Sequence, residues 1–211
     1  MQQSALQVED LEEGIRVLTL SNPARRNALD DGLLARLDEA LTSATGRVRA
    51  LLIRGEGGTF CSGYDLNLLS APSGGRLPDD ALVACLSRLE AHPVPSVALV
   101  RGAAFGAGFD LAASCDFRVG AEDSVFCMPP ARLGIVYSLE GLARVARLVG
   151  VARAKSLFLT GRRLAAEEAR DWGVLDECHP VAEIEERALA LCRTLASQAP
   201  LAVAGMKESF G

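Results

Sequence analysis

The chain has little of what many catalytic sites are built from. It holds two histidines in 211 residues, His92 and His179, and each is followed by proline. Two turn-like histidines give a His-based zinc site or a Ser-His-Asp arrangement little to build on. Six cysteines are present (Cys61, Cys85, Cys115, Cys127, Cys178 and Cys192), and none forms a C-x-x-C pair. In a chain this long and leucine-rich they read as buried free thiols, not as a disulfide framework. There is no surplus of basic residues: 22 Lys and Arg stand against 27 Asp and Glu, a formal charge of -5. That balance argues against a general nucleic-acid binder, which normally shows a basic face. No apolar run approaches the roughly 20 residues of a membrane helix. Residues 1–13 are polar and acidic and lack the charged-then-apolar order of a signal peptide. The expectation is a cytoplasmic protein with no membrane, metal or nucleic-acid partner.

The residues that are present describe an ordinary globular chain, 49% hydrophobic and 23% charged. No linker interrupts it, so residues 1–211 are read as a single domain. Residues 14–20 (GIRVLTL) alternate like a strand. Leu33, Leu34, Leu37, Ala40 and Leu41 form the stripe of an amphipathic helix within residues 28–44. Residues 49–54 (RALLIR) and 94–100 (VPSVALV) read as buried strands. Leu82, Val83, Leu86 and Leu89 mark a helix between them. Residues 70–78 have the Pro/Gly/Ser content of a mobile loop. Strand signals recur at 116–119 and 124–127. From Ser138 onward the pattern is helical, punctuated by Gly150, Gly161 and Gly173 as helix ends. Strands alternating with helices, then helices, predict an α/β core.

Two glycine-rich junctions carry the chemical interest. The first spans residues 57–66 (GGTFCSGYDL), the second residues 102–110 (GAAFGAGFD). Each follows a buried strand and is read as opening a helix. Small residues there let backbone approach a ligand closely. Two N–H groups converging on one carbonyl oxygen make an oxyanion hole. Either junction alone is more simply explained by tight strand-to-helix packing. The second lacks a full G-x-G-x-x-G, so a dinucleotide site fits poorly.

Taken together and in order, these segments resemble the crotonase (enoyl-CoA hydratase/isomerase) family. Residues 22–29 (NPARRNAL) look like that family's early CoA-contacting loop, residues 60–66 its first oxyanion segment, and residues 102–110 with Cys115 and Asp116 its second. Residues 159–161, 165–169 and 173–176 look like its later helices and strand, and Ala199, Pro200 and Lys207 like its "AP…K" helix. The resemblance covers nearly the whole chain. It implies a crotonase-like spiral of ββα turns with C-terminal helices, the family's final helices falling beyond Gly211, where the sequence stops. It assigns the oxyanion donors to the N–H groups of Tyr64 and Ala107. It places Arg25, Arg26, Ala28, Ser62, Gly63, Asp65, Leu66, Gly106, Pro129 and Pro130 around the CoA and acyl group. It implies no cofactor other than the coenzyme A of the substrate, and a homotrimer or hexamer.

The family's hydratases use two glutamates. One position falls here at Asp110 and the other at Pro130, and proline transfers no proton. Residues 126–141 (FCMPPARLGIVYSLEG) and 72–76 (PSGGR) resemble the methylmalonyl-CoA decarboxylases of the family, in which a tyrosine at the position of Tyr137 sits at the active site. That resemblance implies loss of CO2 from a malonyl-type thioester through an enolate, with Tyr137 orienting the departing carboxylate and Asp110 influencing groups beside it. This chain departs from that pattern, with Tyr64 in place of histidine, Pro129 in place of threonine and Asp110 in place of glutamate. The substrate is expected to be an acyl-CoA or acyl-carrier-protein thioester. Two alternatives stand beside decarboxylation: an enoyl-CoA isomerase or hydratase using Asp110, and a non-catalytic acyl-CoA or carrier-protein binding module.

Overall fold

The computed structural model describes residues 4–65 and 80–210. The loop read at residues 70–78 lies outside them. Two strands form an antiparallel pair at the start, β1 (Ala5–Asp10) and β2 (Ile15–Ser21). β2 then pairs in parallel with β3 (Ala50–Gly55), β3 with β4 (Ser96–Val100), β4 with β6 (Phe117–Ala121), and β6 with β9 (Glu177–His179). The result is a six-stranded sheet in the order β1-β2-β3-β4-β6-β9. A smaller sheet joins β5 (Ala103–Phe105), β7 (Val125–Cys127) and β8 (Arg163–Ala165).

Period-2 alternation sends the large sheet's side chains into two cores. Leu51 and Ile53 of β3, with Ala98 and Val100 of β4, face the core that also receives α1 (Asp31–Thr42), α2 (Asp80–Glu90) and α3 (Ala107–Ser114). Ala50 and Leu52, with Val97 and Leu99, face the other way against α7 (Ile184–Ala196) through Ile184, Ala188 and Cys192. Parallel strands covered on both faces become the continuous apolar runs seen at residues 50–53 and 97–100.

The chain winds as a spiral. β4 lies in the large sheet, β5 in the small one, and α3 follows. β6, β7 and α4 (Leu139–Val149) repeat the order. The earlier turns make the same step with isolated bridges in place of a strand, Leu29 to Tyr64 and Cys61 to Ala104. After α4 come α5 (Val151–Thr160), α6 (Ala166–Asp171) and α8 (Pro200–Phe210). Lys207 of α8 pairs with Asp116, tying that helix to the start of β6.

The strands and helices expected through Cys127 appear, with ends shifted by a few residues, apart from the helix expected after the first junction, which lies outside the described residues. α1 starts at the residue after Asp30, whose side chain accepts the Leu33 N–H at 2.8 Å. Gly150, Gly161 and Gly173 all take positive φ (78°, 59° and 80°) at helix ends. Three strands depart from the reading. β1 lies in a start read only as polar, where all but two of its residues are exposed and no buried face marks it. β8 interrupts the part read as helical, and β9 begins just past residues 173–176, where the resemblance placed a strand. They are three residues each and exist by pairing with β7 and β6, which local periodicity does not encode.

Candidate active site

The first glycine-rich junction is held by bonds from its neighbours. Cys61 N–H donates to Ala103 O at 3.0 Å, and Phe105 N–H donates to Cys61 O at 3.0 Å. Gly63 O accepts from Leu29 N at 2.8 Å, and Asp65 N donates to Leu29 O at 2.8 Å. Gly63 has φ +115°, and a methyl built on it would sit 3.0 Å from Phe105 O and 3.9 Å from Ala107 N. The residue before Tyr64 and the part of the second junction where α3 opens are therefore in contact. Leu66 lies outside the described residues, as does any helix expected after it.

The second junction has its own support. β5 leads to Gly106, whose φ of 50° and ψ of -117° suit glycine. Gly106 N–H donates to Cys127 O at 2.8 Å, and α3 begins at Ala107. The N–H of Ala107 is the first of the helix, where no preceding turn supplies a carbonyl. Every residue of α3 is buried. Gly108 is required by the seam between junctions: a Cβ there would lie 2.3 Å from Cys61 O.

The early loop docks on the first junction. Its 3-10 turn Pro23–Arg25 leads to Arg26 and Asn27, with φ of 51° and 57°. Ser62 N–H donates to Arg26 O at 3.0 Å, and Ser62 Oγ donates to Arg25 O at 2.8 Å. Arg25 pairs with Asp65, so part of the charge expected to meet CoA phosphates is engaged within the protein. Arg26 is exposed and Ala28 buried. Asn27, which sequence reasoning placed in the loop without a role, is buried and fixes it by donating to Glu56 O at 3.0 Å and Thr59 O at 2.7 Å.

Asp110 lies three residues beyond Ala107, on the same side of α3. It is 2% exposed. Tyr137 donates its hydroxyl to Asp110 Oδ2 at 3.1 Å, and Arg144 donates to Oδ1 at 2.6 Å. Arg144 also gives Nε and a terminal nitrogen to Glu90 Oε2 at 3.2 and 3.0 Å, and Arg147 pairs with Glu90 from outside. Burial pushes the Asp110 carboxyl above the usual carboxylate range, opposed by the charge and hydrogen bond of Arg144 and by the Tyr137 hydroxyl. Arg144 is itself desolvated, yet Asp110 and Glu90 hold it above its ordinary value.

Tyr137 packs on Phe158 with ring centroids 5.4 Å apart. Pro129 stands beside Gly106, its Cδ 4.0 Å from where a Cβ would be. Pro130 is buried and starts the 3-10 turn Pro130–Leu133. The structure thus gathers Tyr64, Gly63, Gly106, Ala107, Asp110, Tyr137, Pro129 and Pro130 around the junctions, with Arg25, Ser62 and Asp65 on the flanking loop. Arg144 and Glu90 were not singled out from sequence. The signal for Arg144 was an arginine set between Leu142 and Val145 in the apolar stripe of α4; in the structure Gly141 adjoins the same contact, where a Cβ would meet Tyr137 Cε1 at 2.4 Å and Asp110 Oδ2 at 2.8 Å. A depression of about 320 Å³ lined by Thr19, Arg54, Arg101 and Ile184 lies on the α7 side of the large sheet, and its lining includes none of Tyr64, Ala107, Asp110 and Tyr137.

Residues 10–211 match the enoyl-CoA hydratase/isomerase family. The Bacillus subtilis (strain 168) protein named probable enoyl-CoA hydratase is 33% identical over 206 residues, covering 94% of this chain and 79% of that protein. The crystal structure of enoyl-CoA hydratase from Bacillus anthracis superposes with a TM-score of 0.91 at 31% identity, covering 97% of this chain and 81% of that one. A Thermobifida fusca YX protein solved in complex with acetoacetyl-CoA gives a TM-score of 0.86 at 32% identity, covering 96% and 84%.

Proposed function

The chain belongs to the enoyl-CoA hydratase/isomerase (crotonase) family of thioester-processing enzymes, and from that premise we propose that it decarboxylates a malonyl-type acyl thioester through an enolate. The observation that carries this reading is the pairing of one buried carboxylate, Asp110, with the Tyr137 hydroxyl, and it is supported by the family resemblance, in which the hydratases' second acid falls at the position of Pro130. Addition of water to a double bond calls on an acid and a base together. Loss of CO2 calls on neither for the bond cleavage.

In this reading the thioester oxygen rests on the N–H groups of Tyr64 and Ala107. The C–C bond to the carboxylate breaks, its electron pair enters the thioester as the enolate, and CO2 leaves. The two donors stabilise the new oxyanion, each worth about 3 to 4 kcal/mol in comparable sites. Tyr137 turns its hydroxyl to the carboxylate and holds it out of the thioester plane, the orientation in which the breaking bond overlaps the carbonyl. The enolate carbon then takes a proton from water. The acyl carrier is coenzyme A, as in the acetoacetyl-CoA complex of the Thermobifida relative.

A second reading is an enoyl-CoA isomerase or hydratase in which Asp110 alone carries the proton. It is favoured by the hydratase name of the Bacillus subtilis relative and by the upward push of burial on the Asp110 carboxyl. Incubation with malonyl-, methylmalonyl- and crotonyl-CoA, followed by mass spectrometry, separates the two. The decarboxylase reading expects CO2 and the shortened thioester, and it expects Tyr137→Phe to lower kcat about a hundredfold with thioester affinity little changed. Water addition to crotonyl-CoA with no loss of CO2 from either malonyl thioester overturns it.

A further inference from the structure

Behind Asp110 stands a row of alternating charges. Asp110 and Arg144 are each 3% exposed at the side chain, and the row continues outward through Glu90 to Arg147. Its formal charges sum to zero. All three nitrogens of the Arg144 guanidinium are engaged, one on Asp110 and two on Glu90, so Arg144 is anchored between the two carboxylates. Gly141 keeps the contact close, since any side chain there would press on both Tyr137 and Asp110.

We propose that Arg144 is a specificity-determining positioning residue that acts through Asp110 and lets the site accept an acyl group carrying its own carboxylate. The proposal rests on the decarboxylase reading above and names what that reading leaves unexplained. An uncompensated Asp110 carboxylate, three residues from Ala107 on one helix face, would repel a second carboxylate brought to the same place. A buried charge is tolerated when it is paired and hydrogen-bonded, and Arg144 supplies both. The same contact settles a competition. Tyr137 has a single O–H, and in the structure it goes to Asp110 Oδ2. With Arg144 on Oδ1, Asp110 keeps a strong partner when that hydroxyl turns to a substrate carboxylate. Without Arg144, Asp110 would both repel the substrate and retain the hydroxyl that should hold it.

The test compares two thioesters that cannot lose CO2 through an enolate, succinyl-CoA and butyryl-CoA, by calorimetric titration. Arg144→Met should weaken succinyl-CoA about tenfold or more while butyryl-CoA stays within about twofold. Adding Asp110→Asn to that variant should restore succinyl-CoA to within about threefold of the original protein, because the repelling charge is gone. Equal weakening of both thioesters by Arg144→Met, or a double variant as weak as the single one, overturns the proposal. Removing one member of a buried pair can prevent folding. In that case the double variant, which buries neither charge, carries the test alone: retained succinyl-CoA affinity supports the proposal, and selective loss of it overturns it. Failure of the unsubstituted protein to release CO2 from malonyl-CoA would sink the decarboxylase reading on its own, whatever these affinities show.

Discussion

The two glycine-rich junctions lie against each other, and they are built by different means. The second is locally self-supporting: a strand, a glycine at φ 50°, then a helix buried along its whole length. The first has neither strand nor helix among its described residues. It is held by bridges to Leu29 on one side and Ala104 on the other. A backbone segment can thus be positioned by its own helix or by ladders lent from neighbouring turns of the spiral. The second kind of support depends on everything that places those neighbours.

The comparison breaks first at Gly108, where the junctions touch. Gly108→Ala must force a methyl against the Cys61 carbonyl, 2.3 Å from its built position, and neither side is a flexible chain end. We expect a loss of about 3 kcal/mol in urea unfolding, with thioester binding impaired in whatever remains folded. A loss below 1 kcal/mol would mean that the seam yields easily and that the first junction is not pinned by the second.

A smaller effect is expected at Gly63, which lies wholly within the borrowed part. Gly63→Ala adds strain at φ +115° and a 3.0 Å contact with Phe105 O, together costing about 1 to 3 kcal/mol. Because the next residue is Tyr64, we expect kcat to fall about a hundredfold with KM little moved. If KM rises while kcat holds, the Tyr64 N–H contributes to binding alone and not to the oxyanion.

The smallest expected effect sharpens the comparison most. Cys61 sits in the first junction and Cys115 just past the end of α3, and burial pushes both thiols up to about 12. The thiolate is the reactive form, so both should stay protonated and unlabelled by a disulfide reagent at pH 8 in the folded protein. Both should label once urea unfolds the chain, as read by peptide mass spectrometry. Labelling of Cys61 ahead of Cys115 would show that the junction held by bridges to its neighbours opens by local unfolding.

Much of the fold was legible because its signals are local. The apolar runs of β3 and β4, the stripe of α1 and the glycines closing α4 and α5 each follow from side chains within a few residues of one another. The segments that carry the family resemblance include both junctions, so the candidate site was legible in outline as well. What stayed hidden depends on pairing at a distance. β8 and β9 are too short to carry a period and exist through their partners. Arg144 looks like an ordinary polar interruption of a helical stripe until α4 packs on α3 and sets it against Asp110.

By itself, then, the sequence determined where backbone could come close: glycines and alanines after buried strands mark two junctions. It also determined that Pro130 carries no proton. Only the tertiary structure decided that Gly63 adjoins Ala107, that Tyr137 reaches Asp110, and that a buried guanidinium balances that carboxylate. The physical reason is range. Steric freedom and the lack of an ionisable group belong to single residues, whereas charge compensation and the approach of one junction to the other belong to groups brought together from 34 and 44 positions apart, Asp110 with Arg144 and Gly63 with Ala107.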